Sequence, residues 1–166
     1  SLAGIKENDA VITENGLIGW IYSVNPSSSV VKTILSPDTK IGAIDKISRD
    51  VGVISGNIKL ADQNLTRLNF VSAQNNIQPD EIIVSSGLGG IYPRDLPIGK
   101  VKEVKIDEYD SSYYAILEPV EDIRKVRDLF VIKEFSGQGK VSMKSIQDIF
   151  SEGSKESPEA KNENKK

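Results

Sequence analysis

Residues 84–101, VSSGLGGIYPRDLPIGKV, connect two apolar segments through a loop rich in glycine and proline. Three glycines and two prolines lie between Ser85 and Ile98, which predicts a turn-rich loop between two strands. Gly99 comes early in the second strand, where a missing side chain relieves crowding or allows a barrel corner. The stretch therefore predicts part of a small, strongly curved β structure.

The strands on either side of this loop repeat a pattern that occurs earlier in the chain. Residues 77–85 resemble 5–13, since each has an apolar anchor, a polar turn, an acid and an apolar strand. Residues 98–104 resemble 18–24 in the same way. The offset between matching residues of the two copies is 72 at the first motif and 80 at the second. The second copy therefore carries about eight extra residues between its motifs, which include 87–93. Two similar small β-units are predicted, against the alternative that short strand patterns coincide by chance.

Both copies of the second motif predict a β-bulge. In a straight strand Ile21 and Val24 would face opposite sides, and so would Val101 and Val104. A bulge between the two members of each pair would turn both side chains inward.

The remainder of 1–135 also has β character, with short segments rich in Val, Ile, Thr and Tyr between turn residues. At most a single helical turn is predicted, near 121–126, and no long amphipathic helix is visible, which disfavours an α/β nucleotide-binding fold. The predicted fold class is all-β, with two small β-barrel subdomains built from short strands. The predicted strands are Ala10–Thr13, Leu17–Val24, Val30–Leu35, Val51–Ile54, Arg67–Val71, Glu81–Ser85, Ile98–Ile106, Tyr113–Glu118 and Leu129–Lys133.

The last part of the chain, 136–166, is predicted to be a flexible polar tail. It contains six lysines and five acidic residues, and its last part, 151–166, is too polar to offset the entropy of ordering. Met143, Ile146, Ile149 and Phe150 follow helical spacing. They could form a short docking helix or only a transient one.

Composition excludes the common catalytic systems. The 166 residues contain no histidine and no cysteine, so Ser-His-Asp and Cys-His nucleophiles and Cys-rich zinc sites cannot be assembled. With a net charge of −3, the chain lacks the excess of basic residues that is typical of a nucleic-acid-binding protein. The chain begins at Ser1 with no signal-peptide pattern and has no apolar run long enough for a membrane span, so we expect a fragment of a longer protein.

No catalytic, cofactor or metal site is predicted from the remaining residue types. The glycine-rich segment 85–90 could hold a phosphate on backbone amides, but it lacks the third glycine at dinucleotide-binding spacing and no helix follows. Two acidic clusters lack the interleaved ligand spacing of a calcium loop, and a solvated hairpin and helix-start acids explain them more simply. These clusters are Asp107, Glu108 and Asp110, and Glu118, Glu121 and Asp122.

Apolar side chains in the 87–97 loop are the candidate partner-binding residues. Leu88, Ile91 and Tyr92 lie where polar residues are the norm. Either they pack inward as core, or they form an exposed patch for another protein. Both alternatives stay open at the level of sequence.

The stretch 84–101 resembles the signature TSGLGGxFPxGLPVGxV of MreC, the bacterial rod shape-determining protein family. This chain has Ser85 for Thr, Tyr92 for Phe and Asp95 for Gly. Residues 4–19 also resemble the family pattern GIxxGMAVxxxxGLVG. The resemblance covers nearly all of 1–135 and leaves out the tail.

The resemblance implies a non-enzymatic scaffold without cofactors. MreC-like proteins have a membrane anchor, a coiled coil and two β-barrel subdomains outside the cytoplasmic membrane, so 1–135 would hold tandem barrels with the first incomplete at its N-terminus. The family links MreB and MreD to the elongation-specific penicillin-binding transpeptidase and to RodA in peptidoglycan synthesis, and it self-associates as a dimer.

Two other functions remain for comparison. A β-barrel domain of a membrane-fusion-type transport adaptor uses similar short strands, although the GLGGIYP loop argues against it. A trypsin-like double-barrel enzyme would need a histidine general base, which the chain lacks.

Overall fold

The computed structural model describes residues 4–139. This part of the chain forms ten short β-strands, a four-residue helix α1 (Ile58–Ala61) and two single 3-10 turns, Leu88–Gly90 and Ile123–Lys125. No helix within 4–139 has the length and apolar character needed to cross a membrane. The strands are β1 (Ala10–Ile12), β2 (Leu17–Val24), β3 (Ser29–Thr33), β4 (Ile41–Asp45), β5 (Val51–Ser55), β6 (Thr66–Val71), β7 (Ile82–Ser85), β8 (Pro97–Ile106), β9 (Tyr113–Pro119) and β10 (Phe130–Ile132).

The strands form a four-stranded sheet and a closed barrel, and every pairing is antiparallel. The sheet has the order β10-β1-β2-β3, and the barrel has the order β4-β5-β6-β9-β8-β7 with β7 paired to β4. The predicted all-β fold is therefore confirmed, and the helical turn at 123–125 matches the prediction. Between residues 4 and 139 the first unit is an open sheet. The predicted tail helix near 143–150 lies outside the described residues.

One barrel strand was missed by the sequence patterns. Strand β4 has the sequence IGAID, in which Gly42 and Ala43 disfavour β structure and only two large apolar side chains remain. Its alternating burial becomes visible only once β5 and β7 pair on its two sides. The single-turn helix α1, which begins at the N-cap Asn57, was also not predicted.

The predicted internal repeat is present in the hydrogen bonds of the backbone. Asn8 and Asp80, 72 residues apart, both adopt a left-handed conformation with φ of 71° and 72°. Their N–H groups donate to the carbonyls of Ile21 and Val101, 80 residues apart, and both distances are 2.8 Å. The same turn therefore opens both units, and chance similarity of the strand patterns does not explain this agreement.

Both predicted bulges are also present. The register of β2 against β3 shifts at Tyr22, and that of β8 against β9 shifts at Lys102. Val104 consequently packs against the barrel core, as expected. Val24 is only half-buried, because the open sheet does not close over the end of β2.

In each repeat a glycine lies where the neighbouring strand comes very close. A Cβ atom on Gly19 would lie 2.0 Å from the carbonyl oxygen of Lys32, and one on Gly99 would lie 2.6 Å from that of Glu118. No side chain fits at such distances, so each glycine lets the neighbouring strand approach closely.

The sheet and the barrel share one apolar core. Leu17 of the sheet and Ile34, which follows β3, belong to the same buried cluster as Leu68 and Ile98 of the barrel. Inside this core the hydroxyl of Thr66 donates to the carbonyl of Ile34 at 2.6 Å. Burial of apolar surface therefore joins the two units.

A carboxylate fixes the junction at its polar rim. Glu121 Oε1 accepts hydrogen bonds from Thr13 Oγ1 and Asn15 Nδ2, both at 2.6 Å. The carbonyl of Glu121 accepts a further bond from Asn64 Nδ2 at 3.1 Å. The turn between β1 and β2 is thus held against the segment that follows β9.

We expect Gly19→Ala and Gly99→Ala to lower the free energy of unfolding by about 1–3 kcal/mol each, the usual cost of overpacking. Gly19→Ala should cost more, because its added methyl group meets backbone at the shorter distance. Urea denaturation measures both values. Val30→Ala, a half-exposed position on β3, is the control and should change little. Unchanged stability of both glycine variants would show that the strands can move apart freely.

Candidate functional site

The glycine-rich loop between β7 and β8 has a backbone that few other sequences could adopt. Gly87, Gly89 and Gly90 have φ of 69°, 83° and 62°, all in the left-handed region. Asp95 also lies there, with φ of 61°, and Asp tolerates this region better than most residues. The loop is therefore a defined turn structure.

Ser85 fastens the loop to the end of β7. Its side chain is fully buried, and its Oγ donates to the carbonyl of Pro93 at 2.5 Å and accepts from the N–H of Leu96 at 2.9 Å. Its carbonyl also accepts from the N–H of Asp95 at 2.9 Å. These bonds bring the end of the loop back beside its beginning.

The three candidate partner-binding residues of the loop fall into two groups. Leu88 and Ile91 are exposed by 48% and 43%, so both can contact another molecule. Tyr92 is 8% exposed and packs in the core, where burial raises its pKa to about 12. Tyr92 therefore supports the loop from beneath, and the role of Leu88 and Ile91 in binding stays a prediction.

One carboxylate of each acidic cluster forms ion pairs that hold the local structure. Asp107 forms an ion pair with Arg67, and Asp122 pairs with Arg124 and Lys125. The hydrogen bond and charge of Arg124 lower the pKa of Asp122 to about 2. Within residues 4–139, no group of three or more acidic, His or Cys side chains is placed to hold a metal ion.

Three further exposed apolar side chains, which the sequence patterns missed, lie on β6, at the end of β8 and in the hairpin between β8 and β9. Phe70, Ile106 and Tyr109 are exposed by 69%, 53% and 98%. Phe70 was assigned to a regular strand from its sequence. A bulge between Leu68 and Val71 turns it outward instead, and only the long-range pairing with β9 reveals that bulge.

With this geometry established, a family model described as "Rod shape-determining protein MreC, barrel core" matches residues 1–133. The chain belongs to the MreC family. MreC proteins are structural proteins that determine cell shape.

Curated relatives agree with this assignment. The chain is 28% identical to the cell shape-determining protein MreC of Listeria monocytogenes over 139 residues, and 26% identical to that of Escherichia coli over 132 residues. These alignments cover 82% and 80% of this chain. The chain spans less than half of those relatives, 46% and 35% of their lengths.

Solved MreC structures have the same fold. MreC of Listeria monocytogenes has a TM-score of 0.69 at 26% identity, with 77% of this chain and 61% of that chain covered. A major periplasmic domain of the cell shape-determining filament MreC has a TM-score of 0.60 at 21% identity and covers 70% and 71%. MreC in a complex with penicillin-binding protein PBP2 of Helicobacter pylori has a TM-score of 0.61 at 18% identity and covers 74% of both chains.

We expect Ser85→Ala to loosen the MreC-type loop. The substitution leaves the buried Pro93 carbonyl and Leu96 N–H without partners, which costs about 1–3 kcal/mol. Ser85→Thr restores the hydroxyl and should remain closer to the parent protein. Hydrogen exchange of the Leu96 amide measures the effect. Equal protection in all three proteins would mean that backbone bonds alone hold the loop.

We expect Tyr92 to make the free energy of unfolding depend on pH in the alkaline range. Its folded-state pKa is raised from 10 to about 12, so the stability it contributes is complete below pH 10 and is lost as pH rises through 12. Urea denaturation at pH 9 and pH 11.5 should show a larger loss for the parent protein than for Tyr92→Phe, which cannot ionise. Parallel losses would contradict burial as the cause.

Proposed function

We propose that this chain is the interaction region of a non-enzymatic scaffold that supports peptidoglycan synthesis during cell elongation and thereby determines rod shape. The observation that carries the proposal is the Helicobacter pylori complex of MreC with a penicillin-binding protein, whose MreC shares this fold. The proposed partner is the elongation-specific penicillin-binding transpeptidase. The proposed location is the extracytoplasmic face of the cytoplasmic membrane, in line with the periplasmic domain of a related structure.

The chemistry of the described residues supports binding rather than catalysis. The chain has no histidine or cysteine. In its acidic clusters Asp107 and Asp122 form ion pairs, and Glu121 forms the junction. A scaffold of this kind acts by population shift: it binds the active conformation of the transpeptidase more tightly than the inactive one. The free energy by which the scaffold favours the active conformation then equals the difference between its binding free energies for the two conformations.

The 87–97 loop is one proposed contact with the transpeptidase. Leu88 and Ile91 present apolar side chains on a backbone fixed by glycines and by Ser85, and such rigidity lowers the entropic cost of binding. Tyr92 anchors the loop through the core.

The further partners are proposals for the full-length protein. MreD, MreB and RodA, a membrane anchor and self-association as a dimer rest on the family resemblance. The alternative of a membrane-fusion-type transport adaptor is not favoured, because the family match extends over residues 1–133.

The domain organisation is also a proposal. Residues 1–135 would form two related barrel units, with 136–166 as a flexible tail. The repeated hydrogen bonds of β1-β2-β3 and β7-β8-β9 support this division. In the barrel β9 pairs with β6 as well as with β8. The corresponding strand of the sheet, β3, is an edge strand within residues 4–139. We infer that the first barrel is incomplete at its N-terminus.

We expect the 166-residue protein to bind the purified extracytoplasmic part of the elongation-specific penicillin-binding transpeptidase of the same bacterium. Leu88→Asp with Ile91→Asp should weaken this binding at least about tenfold, because charged groups replace two apolar contacts. Surface plasmon resonance measures the dissociation constant.

The matched control is Ile47→Asp, an exposed apolar residue in the β4–β5 turn of the same barrel. Circular dichroism and thermal unfolding confirm that each variant is folded. Absence of binding by the parent protein would refute the proposed function. Parent-like binding by the loop variant would refute only the placement of the contact.

A further inference from the structure

The turn between β1 and β2 contains the dipeptide Asn15-Gly16, the only Asn-Gly pair among the 166 residues. Glycine has no side chain to shield its backbone nitrogen, so this nitrogen can attack the side-chain carbonyl carbon of the preceding asparagine. Asparagine is thermally labile in proteins, and this attack is the chemical route. By sequence, the side-chain amide of Asn15 is therefore the most reactive amide of the chain.

The packing of the junction requires a glycine at position 16. A Cβ atom on Gly16 would lie 2.1 Å from the carbonyl oxygen of Pro97 and 3.0 Å from Cγ2 of Val120. No side chain fits at these distances. The fold therefore cannot protect Asn15 by placing a larger residue after it.

Asn15 is exposed to water and also belongs to the Glu121 junction. Its Nδ2 donates to Glu121 Oε1 at 2.6 Å, and its backbone N–H donates to Thr13 Oγ1 at 3.2 Å. The carbonyl of Gly16 accepts a hydrogen bond from the N–H of Thr13 at 2.9 Å, whereas the N–H of Gly16 donates none within residues 4–139. The attacking nitrogen is therefore not engaged in backbone pairing.

We propose that Asn15 is a site of spontaneous deamidation, and that this modification opens the polar rim of the junction between sheet and barrel. The nitrogen of Gly16 forms a bond to Cγ of Asn15, the Cγ–Nδ2 bond breaks, and the amide group leaves as ammonia with the proton of the Gly16 N–H. Water then adds to one of the two carbonyl carbons of the resulting succinimide ring. The product is aspartate when the new N–Cγ bond breaks, and isoaspartate when the original peptide bond breaks.

Either product places two carboxylates together at the junction. Glu121 Oε1 loses a donor that lies at 2.6 Å and faces a negative charge instead, which disrupts the contact by repulsion between like charges. Isoaspartate also adds one carbon atom to the backbone of the turn, which misaligns the bond between Thr13 and Gly16. The shared apolar core still holds the two units together, so the modification loosens the rim without separating them.

The reaction is tested by incubating the full 166-residue protein, native and unfolded in guanidinium, in mildly alkaline buffer. Peptide mapping by mass spectrometry follows each asparagine over time. In the native protein Asn15 should convert to aspartate and isoaspartate before any other asparagine of residues 4–139. Asn25 is the internal control, because it is also exposed but precedes Pro26, whose nitrogen carries no hydrogen. An intact Asn15 in the native protein, with or without conversion in the unfolded chain, would overturn the inference.

The effect on the junction is tested with Asn15→Asp, which reproduces the aspartate product. We expect it to lower the midpoint of thermal unfolding by about 2–4 °C, because two carboxylates then repel each other. Combining it with Glu121→Gln should restore the parent midpoint, since the introduced amide can donate to the introduced carboxylate while its oxygen still accepts from Thr13.

The matched control for this measurement is Asn25→Asp. It adds the same charge at a side chain that makes no hydrogen bond within residues 4–139, so the midpoint should change little. Equal midpoints for Asn15→Asp and Asn25→Asp, or a failure of Glu121→Gln to restore stability, would overturn the inferred opening of the rim.

Discussion

The close approach of β8 to β9 at Gly99 is the constraint on which the barrel depends. With no side chain at this position, the carbonyl of Glu118 comes nearer than any Cβ atom would allow, and the bulge at Lys102 then turns Val104 into the core. Tight coiling of β8 lets the six strands close into a barrel. Closure in turn places the glycine-rich loop at one end of β8 and the hairpin between β8 and β9 at the other.

Local patterns predict the parts of this fold that local chemistry determines. The paired glycines, the two bulges and the turn with Asn8 and Asp80 all follow from short segments that repeat along the chain. Strand β4 does not, because its Gly42 and Ala43 acquire β structure only from neighbours distant in sequence. The same reason hides the outward turn of Phe70, whose bulge exists only in the pairing of β6 with β9. The open choice between core and surface for the loop hydrophobes is resolved by packing: Tyr92 lies inside, while Leu88 and Ile91 lie outside.

The arrangement suits a protein whose proposed work is recognition. Fixed backbone at both ends of the barrel means that little conformational entropy is lost on binding, so few contacts suffice for specificity. Ion pairs at Asp107 and Asp122 hold surface turns rather than reacting groups. The shared core and the Glu121 junction join sheet and barrel.

The eight extra residues of the second copy give its turn a role that the turn of the first copy does not have. In the first copy the equivalent turn is short and is consumed by internal contacts, with Gly16 wedged beside Pro97 and Thr13 bonded to Glu121. In the second copy the longer turn does not have this role, and it faces outward. The repeat therefore gives its two turns different roles. One turn joins the sheet to the barrel, and the other presents Leu88 and Ile91 at the surface.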